Sequence, residues 1–527
     1  MSVQSGQNDR RSPAPGEHAQ AGEAPTVPER GPGLIASIVE VTEPGGTEGD
    51  TKLGRFLAEP SPERALLLWL GWTAPRGKPI TRQDAAHSVS RDIARLDAIL
   101  SRQVNAILHH PRFQRIEASW RGLRYLVEQA EEAEDVKIRV LSVSWQELTR
   151  DVERAIEFDQ SELFRKVYGE GIDTPGGEPF GVLIGDYQIR PWPSAEHPSD
   201  DIGALTAISQ VAAAAFAPFI TGVHPAMFGL DDFSGLEQAL NFPRTFEQLE
   251  YVKWKAFRDT EDSRFVGLTL PQALMRLPYE DDGSRVDGFR FHEEVAGPSR
   301  EKYLWGNAAY AFGAVLVRAF AQSGWLANIR GVERGMDGGG LVPGLPVHSF
   351  ATDKLGVAFK CSTDVIITDQ QEQEISELGF IPLCHCKDTE FSAFYTNQSA
   401  QKPKRYDELP ATMNARISAM LQYMLCVSRF AHYLKVAARD KVGSFVEASE
   451  CEDFLHTWLQ KYVTSDSEAD PDVKAEYPLR EARVQVRNHP GKPGNYLCVA
   501  HLWPHFELDE LNTTLRVTTE LTPGQTV

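Results

Sequence analysis

The clearest alternation of hydrophobic and polar positions lies near the end of the chain. Between Leu511 and Leu521, one face carries Leu511, Leu515, Val517 and Leu521 with Thr513 and Thr519, and the other carries Asn512, Thr514, Arg516, Thr518 and Glu520. Ala482, Val484 and Val486 alternate in the same way with Arg483, Gln485 and Arg487. Between these runs, Asn495 to Phe506 is aromatic and β-rich, holds Tyr496, Cys498 and Leu502, and follows a turn from Asn488 to Gly494. Period-two patterning of this kind predicts two or three half-buried antiparallel strands. So few strands are barely stable alone, and their open edges need a partner or a cover. The pattern leaves two readings: the strands close the chain's own sheet, or they pair with strands of other subunits.

Upstream, period 3.6 alternates with short apolar runs. Leu34, Ile35, Ile38 and Val39 form an apolar stripe ended by Pro44-Gly45-Gly46, which reads as a docking peptide or as a helix packed on the body. Ser61-Pro62-Glu63 opens a second short helix over Leu66 to Trp72. A long helix is expected over Arg82–His109, with Ile93, Leu96, Ile99, Leu100, Val104, Ile107 and Leu108 on one face and Pro111 as its stop. Another over Phe113–Ala130 carries Ile116, Trp120, Leu123, Leu126 and Val127. Ile138 to Val143 reads as a buried strand, as do Gly181–Asp186 and Pro218–Val223. Helices are predicted at 145–158, 161–168 and 201–216. Strands alternating with helices indicate an α/β layer with parallel pairing. From Phe228 to Gly297 the pattern is looser. A helix follows at Lys302–Ser323, then short β-rich runs between Leu345 and Tyr395 around a helix at 372–378. Long helices at 412–438 and 445–463 precede the terminal strands.

Composition narrows the function. The chain has 527 residues, 42% of them hydrophobic, enough for more than one core. With 54 basic and 74 acidic residues the net charge is −20. Such a chain binds neither nucleic acid nor anionic membrane surfaces non-specifically. Six scattered cysteines suit a reducing compartment. No apolar run reaches the ~18 residues of a membrane helix, and the polar start Met1–Gly6 has no signal-peptide core. The expectation is a cytoplasmic protein. Candidate chemistry is sparse. The glycines of 331–340 lack a nucleotide-loop spacing. Cys384-His385-Cys386 places its thiols too close along one strand for an ordinary zinc pair. Tyr279–Gly283 lacks the calcium-loop pattern. The reading is no cofactor, no metal and no catalytic residue. The alternative from another class is a cytoplasmic hydrolase using Cys384, His385 or His348.

Several stretches closely resemble one family, the large subunit of the contractile sheath of bacterial type VI secretion systems (TssC/VipB type). They include His109–Gln114 with Ser119–Leu123, Gly177–Tyr187, Glu261–Arg264 through Leu270-Pro271, Lys302–Tyr310, Gly344–His348, Glu377–Leu383, Gln401–Lys404, Ser428–Lys435, Pro490–Gly494 and Pro504–Phe506. The resemblance runs from about Ile93 to Leu521. It implies a mixed α/β, phage-tail-sheath-like protomer with long helices and a C-terminal antiparallel strand-exchange region. It also implies a structural role without enzyme activity. Heterodimers with a small sheath subunit (TssB/VipA type) stack helically, with further copies of the same chain, around inner-tube hexamers (Hcp type) on a baseplate. Tyr496, Cys498, Leu502, Leu511, Leu515 and Val517 then belong to inter-protomer strands. Leu34, Ile35, Ile38 and Val39 resemble the helix on which a AAA+ unfoldase (ClpV type) docks to dismantle contracted sheaths. A long head and the insert 59–79 depart from the family pattern. A related phage-like sheath or baseplate component is the nearer alternative.

The expected organisation is a disordered tail at 1–32, a docking helix and insert at 33–80, a first part of the sheath core at 81–225 and an outer α/β region at 226–405. A helical part of the core follows at 406–479, and the exchange strands occupy 480–527.

Overall fold

The computed structural model describes residues 52–70 and 81–505, apart from 132, 134, 175, 239–240, 284–287, 296–299, 333–337, 352–357, 388, 442–447, 467–468 and 489–495, together with the strand at 515–521. Leu34, Ile35, Ile38, Val39 and Leu511 lie outside the described residues. The chain divides into two units, Met1–Ile99 and Leu100–Val527. In the first, helices α1 (Lys52–Ala58) and α2 (Pro62–Trp69) pack on each other, with the rings of Phe56 and Trp69 5.3 Å apart. Trp69 Nε1 donates to Asp92 Oδ2 at 3.0 Å, on helix α3 (Arg82–Leu108). Pro62 at the first turn supplies the preset φ that starts α2.

The second unit is built on a parallel sheet in the order β1 (Leu183–Ile189), β2 (Phe219–Val223), β3 (Val266–Leu270), β4 (Ile381–Pro382). All three pairings are parallel. Helix α4 (Pro111–Gln129) precedes the sheet, and α5 (Asp201–Ala215) makes the β1-to-β2 crossover. Asp200 caps α5 by accepting from Gly203 N, and Phe216 ends it in the left-handed conformation at φ 52°. Helix α6 (Ala308–Ser323) contacts β1, β2 and β3. Neighbouring residues of β2 point to opposite faces: Phe219 joins a core with Ile202, Leu205 and Ile208 of α5, while Ile220 joins one with Ala309, Phe312 and Val315 of α6. A sheet covered on both faces reads as continuous apolar runs rather than alternation.

Strand β3 was hidden in the stretch expected to be loose. Its Gly267 interrupts the apolar run because a Cβ there would stand 2.8 Å from Ile220 and 2.9 Å from Leu421. Two other expectations change. The helix predicted at 412–438 is two, Leu409–Ser418 and α7 (Leu421–Lys441), broken where Met420 bridges to Gln398. The stretch 138–143 is not a ladder strand but an extended segment, with Val140 69% and Leu141 51% exposed. Helix α4 also turns an unexpected face inward. It buries Ala118, Gly122, Tyr125 and Leu126, and leaves Trp120 69% exposed. The small residues let α4 approach α6: a Cβ on Gly122 would lie 2.3 Å from Tyr310 Cδ2. Trp120, on the predicted apolar face, is therefore on the outside, whereas Tyr125, on the buried face, donates its hydroxyl to Pro343 O at 2.7 Å.

Around α4 lies a buried ionic cluster. Arg276 meets Glu293 through two nitrogens, at 2.5 and 3.1 Å, and donates from Nε to Glu117 of α4 at 2.9 Å. Glu293 also accepts from Tyr279 N at 3.0 Å and faces His109 Nε2 at 3.2 Å. Burial alone pushes the Glu293 carboxyl up, but the hydrogen bonds from Arg276 and Tyr279, with the Arg276 charge, bring it below the usual range. Asn307 joins α6 to the sheet. Its side chain caps the helix through Ala309 N and donates from Nδ2 to Tyr187 O at 2.9 Å, seated where Gly222 has no Cβ.

Two outcomes follow from this packing. Arg276→Ala strands the Glu293 carboxylate in a buried site and lowers stability by on the order of 3–5 kcal/mol, measured by denaturant melts at neutral pH. Because the folded carboxyl is depressed, its contribution is present above the unfolded value near ~4 and is lost as pH falls through the lower folded one. The gap between wild type and Arg276→Ala therefore narrows in acid. Gly122→Ala overpacks the α4–α6 contact and costs about 1–3 kcal/mol, read as a lower midpoint in the same melts.

Candidate assembly interface

The terminal strands form a three-stranded antiparallel sheet of their own, β5 (Leu479–Asn488), β6 (Tyr496–Pro504) and β7 (Leu515–Leu521), with β6 in the middle. Register places Tyr496 between Asn488 and Leu521, Cys498 between Val486 and Thr519, and Leu502 between Ala482 and Leu515. Val517 of β7 faces Ala500. Five of the six predicted strand residues thus meet in one sheet.

The alternation is the expected one. Ala482, Val484, Val486, Cys498, Ala500 and Leu502 are buried, while Arg483 and Arg487 are exposed. The buried row packs against Phe430, Ala431 and Leu434 of α7 and against Cys451, Leu455 and Leu459 of helix α8 (Ala448–Gln460). Trp325 stacks on Phe430 at 4.0 Å between ring centres and closes this third core. Burial pushes the Cys498 thiol up to about 12, so it acts as a small apolar side chain.

The two outer edges of this sheet differ. At the start of β5, Leu479 N donates to Tyr462 O at 3.3 Å and Leu479 O accepts from Thr464 N at 2.9 Å. Further along, Gln460 Nε2 donates to Ala482 O at 3.1 Å, and Val486 N donates to Glu452 Oε2 at 2.9 Å. Both side chains come from α8. Several of the main-chain groups that would receive a further strand are thus occupied by the chain's own groups. On the far side, β7 ends the sheet, and no described strand lies beyond it. The direction of the Val486 N–H also sets the phase of the ladder. Val486 and Cys498 face each other without exchanging bonds, so Cys498 bonds Thr519 on its other side. Arg516, Thr518 and Glu520 accordingly turn their N–H and C=O groups away from β6. Glu452 and Gln460 were not singled out from sequence. On a helix they read as ordinary solvated positions.

The candidate catalytic triplet is enclosed. Cys384 is 3% exposed and burial pushes its thiol well above the ordinary range, the reverse of what a nucleophilic thiolate needs. The His385 ring is buried, is depressed in pKa by that burial, and contacts Ser392 Oγ at 3.3 Å. His348 packs instead against the rings of Tyr303, tilted, and Phe350, edge-on, at 5.4 and 5.2 Å between centres. Among the described residues no three His, Cys, Asp or Glu side chains are grouped to hold a metal ion, and no helix is long and apolar enough to cross a membrane.

Comparison with known proteins agrees with this arrangement of a large α/β body followed by a separate terminal sheet. Residues 90–401 match the EvpB/VC_A0108 tail-sheath N-terminal domain, and residues 410–521 match the tail-sheath gpW/gp25-like domain of the same family. The chain is 42% identical over 441 residues to the type VI secretion system sheath protein TssC1 of Pseudomonas aeruginosa, covering 83% of this chain and 86% of that protein. Among solved structures, a chain of the anti-feeding prophage baseplate aligns with a TM-score of 0.33 at 9% identity, covering 72% of this chain and 84% of that one. A chain of the contracted helical sheath of that prophage aligns with a TM-score of 0.29 at 10% identity, covering 62% and 65%. With both tail-sheath domains matched in order and a sheath protein 42% identical over most of its length, the chain belongs to the VipB/EvpB family of type VI secretion tail-sheath proteins.

Proposed function

We propose that this chain is the large subunit of a contractile sheath. It pairs with a small sheath subunit, stacks with further copies of itself around a tube of inner hexamers on a baseplate, and contracts to drive that tube forward in the bacterial cytoplasm. The role is structural and needs no nucleotide or metal in this chain. The observation that carries the reading is the asymmetry of the terminal sheet: one edge is capped by Glu452 and Gln460, and the other, β7, has no described strand beyond it. An edge strand with free main-chain groups is a template for another chain. Tyr496, Cys498, Leu502, Leu515 and Val517 hold that template in register from within, and the foreign strand adds along β7. Ladder bonds between protomers keep neighbours linked while packed bodies slide and rotate. The head residues Leu34, Ile35, Ile38 and Val39 serve as the unfoldase-docking stripe.

Thr518→Pro tests the exchange edge. It removes an outward N–H and leaves the bonds from β7 to β6 in place. Co-expressed with the small subunit, the variant retains heterodimer but yields no long tubes by negative-stain microscopy, as does deletion of 495–527; normal tubes from either would refute strand addition here. Ile38→Asp leaves tube formation intact and weakens capture of contracted sheaths by the unfoldase at least tenfold in pull-downs. Unchanged capture would assign the docking site elsewhere.

A further inference from the structure

Ahead of β1 the chain winds in a rare register. Residues Arg165–Asp173 form a π-helix that continues a short α-helical turn at Glu162–Phe164. Its last bond runs from Thr174 N to Gly169 O at 3.1 Å, five residues back rather than four, and Thr174 Oγ1 donates to the same carbonyl at 2.9 Å. Such bonding mostly occurs as single turns inside α-helices, frequently at functional sites. Here it runs for nine residues. The start is ordinary: Ser161 Oγ accepts from Phe164 N at 3.1 Å, and Arg165 N donates to Ser161 O at 3.1 Å, as in an α-helix. Gly169 and Gly171 lower helix propensity but do not select five-residue bonding. The register is therefore set by what packs on the segment.

One side rests on α5, where Val167 meets Val211 and Ala215. Lys435 of α7 stands against Tyr168. Its ammonium lies 5.0 Å from the ring centres of both Tyr168 and Phe216, and reaches the Tyr168 hydroxyl at 3.5 Å. Tyr168 in turn stacks on Phe164 at 4.8 Å. Among the described residues no carboxylate stands at ion-pair distance from Lys435. Asp173, the last residue of the π-helix, acts on it only through its charge. Burial pushes the Lys435 ammonium down and the Asp173 carboxyl up, and each charge opposes the other's shift. An ammonium withdrawn from water gains most from aromatic faces, so Lys435 fixes where the Tyr168 ring sits. The far end is fitted to the same register. A Cβ on Gly177 would stand 2.6 Å from Glu170 O and 2.8 Å from Gly171 O, and Gly177 N donates to Thr174 O at 2.8 Å. Rewinding to 3.6 residues per turn rotates those last carbonyls and breaks this contact.

We infer that Arg165–Asp173 is a two-register switch, π while Lys435 stands against Tyr168 and α once α7 shifts, and that it couples the terminal sheet to the edge of the central one. Both connections are direct. Phe430, Ala431 and Leu434 of α7 back β5 and β6, and Lys435 is the next residue. Beyond the π-helix, Gly177 leads to Glu178, which pairs with Lys137 and, at 3.2 Å, with Arg139, and then to β1. A displacement of α7 thus reaches β1 through one element with two discrete hydrogen-bond patterns, not through gradual bending. The inference needs only the fold, whichever chain adds to β7, and so stands apart from the sheath reading.

The test uses the full chain, with structures fine enough to place carbonyls. In the wild type Thr174 N bonds Gly169 O. In Lys435→Met, which keeps the length and loses the charge, Thr174 N bonds Glu170 O. Lys435→Arg keeps a cation over the rings and retains the wild-type register. A Lys435→Met chain still bonded to Gly169 O overturns the switch. In solution, amides of 177–182 exchange with deuterium at least tenfold faster in Lys435→Met, while those of β2 and β3 keep wild-type rates. Unchanged exchange at 177–182 overturns the coupling. Where Lys435→Met does not fold, Tyr168→Leu removes the other half of the same contact at a partly exposed position. It gives the same change of register and the same faster exchange, and a retained π-helix in that variant also overturns the proposal.

Discussion

Main-chain hydrogen bonding at strand edges is the constraint on which this molecule turns. A buried or half-buried N–H or C=O without a partner is costly, so each sheet must end in a cap, a cover or another chain. The chain solves this differently at different edges. Along β5, Glu452 and Gln460 of α8 satisfy the main chain with side chains, and residues 462–464 supply main-chain groups. Along β1 and β7 no described strand does so. An edge whose main-chain groups are bonded to the chain's own side chains offers less to a further strand.

The interior is suited to hold those edges still. Gly122, Gly222 and Gly267 occur where a Cβ would collide with Tyr310, Asn307 and Ile220, so helices and strands approach as closely as backbones allow. Asn307 fastens the N-terminus of α6 to β1 through the carbonyl of Tyr187. Arg276, Glu293, Glu117 and His109 tie α4 to the loop that follows β3. Close packing of this kind deforms little and transmits displacement as a body. A protomer that must rotate and slide against its neighbours without unfolding has use for such rigidity, because motion is then confined to the contacts between bodies.

The apolar stripe of α4 shows how periodicity misleads in a subunit. Ile116, Trp120, Leu123, Leu126 and Val127 recur at helical spacing, yet the helix buries Ala118, Gly122, Tyr125 and Leu126 and turns Trp120 outward. Both faces are apolar enough to be buried, and the small residues mark the one used within the chain. The same holds for 136–144, whose strand patterning is real but which has no ladder partner among the described residues. Strand β3 failed to stand out for the opposite reason. It is buried on both faces, so it lacks alternation, and Gly267 breaks its apolar run.

The sequence by itself determined the α/β class, most helix positions, the period-two faces of β5 to β7 and the family, because local periodicity and dense motif spacing are properties of neighbouring residues. It also marked which residues are apolar enough to need cover. Only the tertiary structure decided who covers them. Whether Val140 or Trp120 is buried, whether Glu452 is a solvated carboxylate or an edge cap, and which side of the terminal sheet has no described strand beyond it depend on segments tens to hundreds of residues apart. Burial and edge satisfaction are set by what arrives from elsewhere in the chain, and no local pattern encodes that arrival.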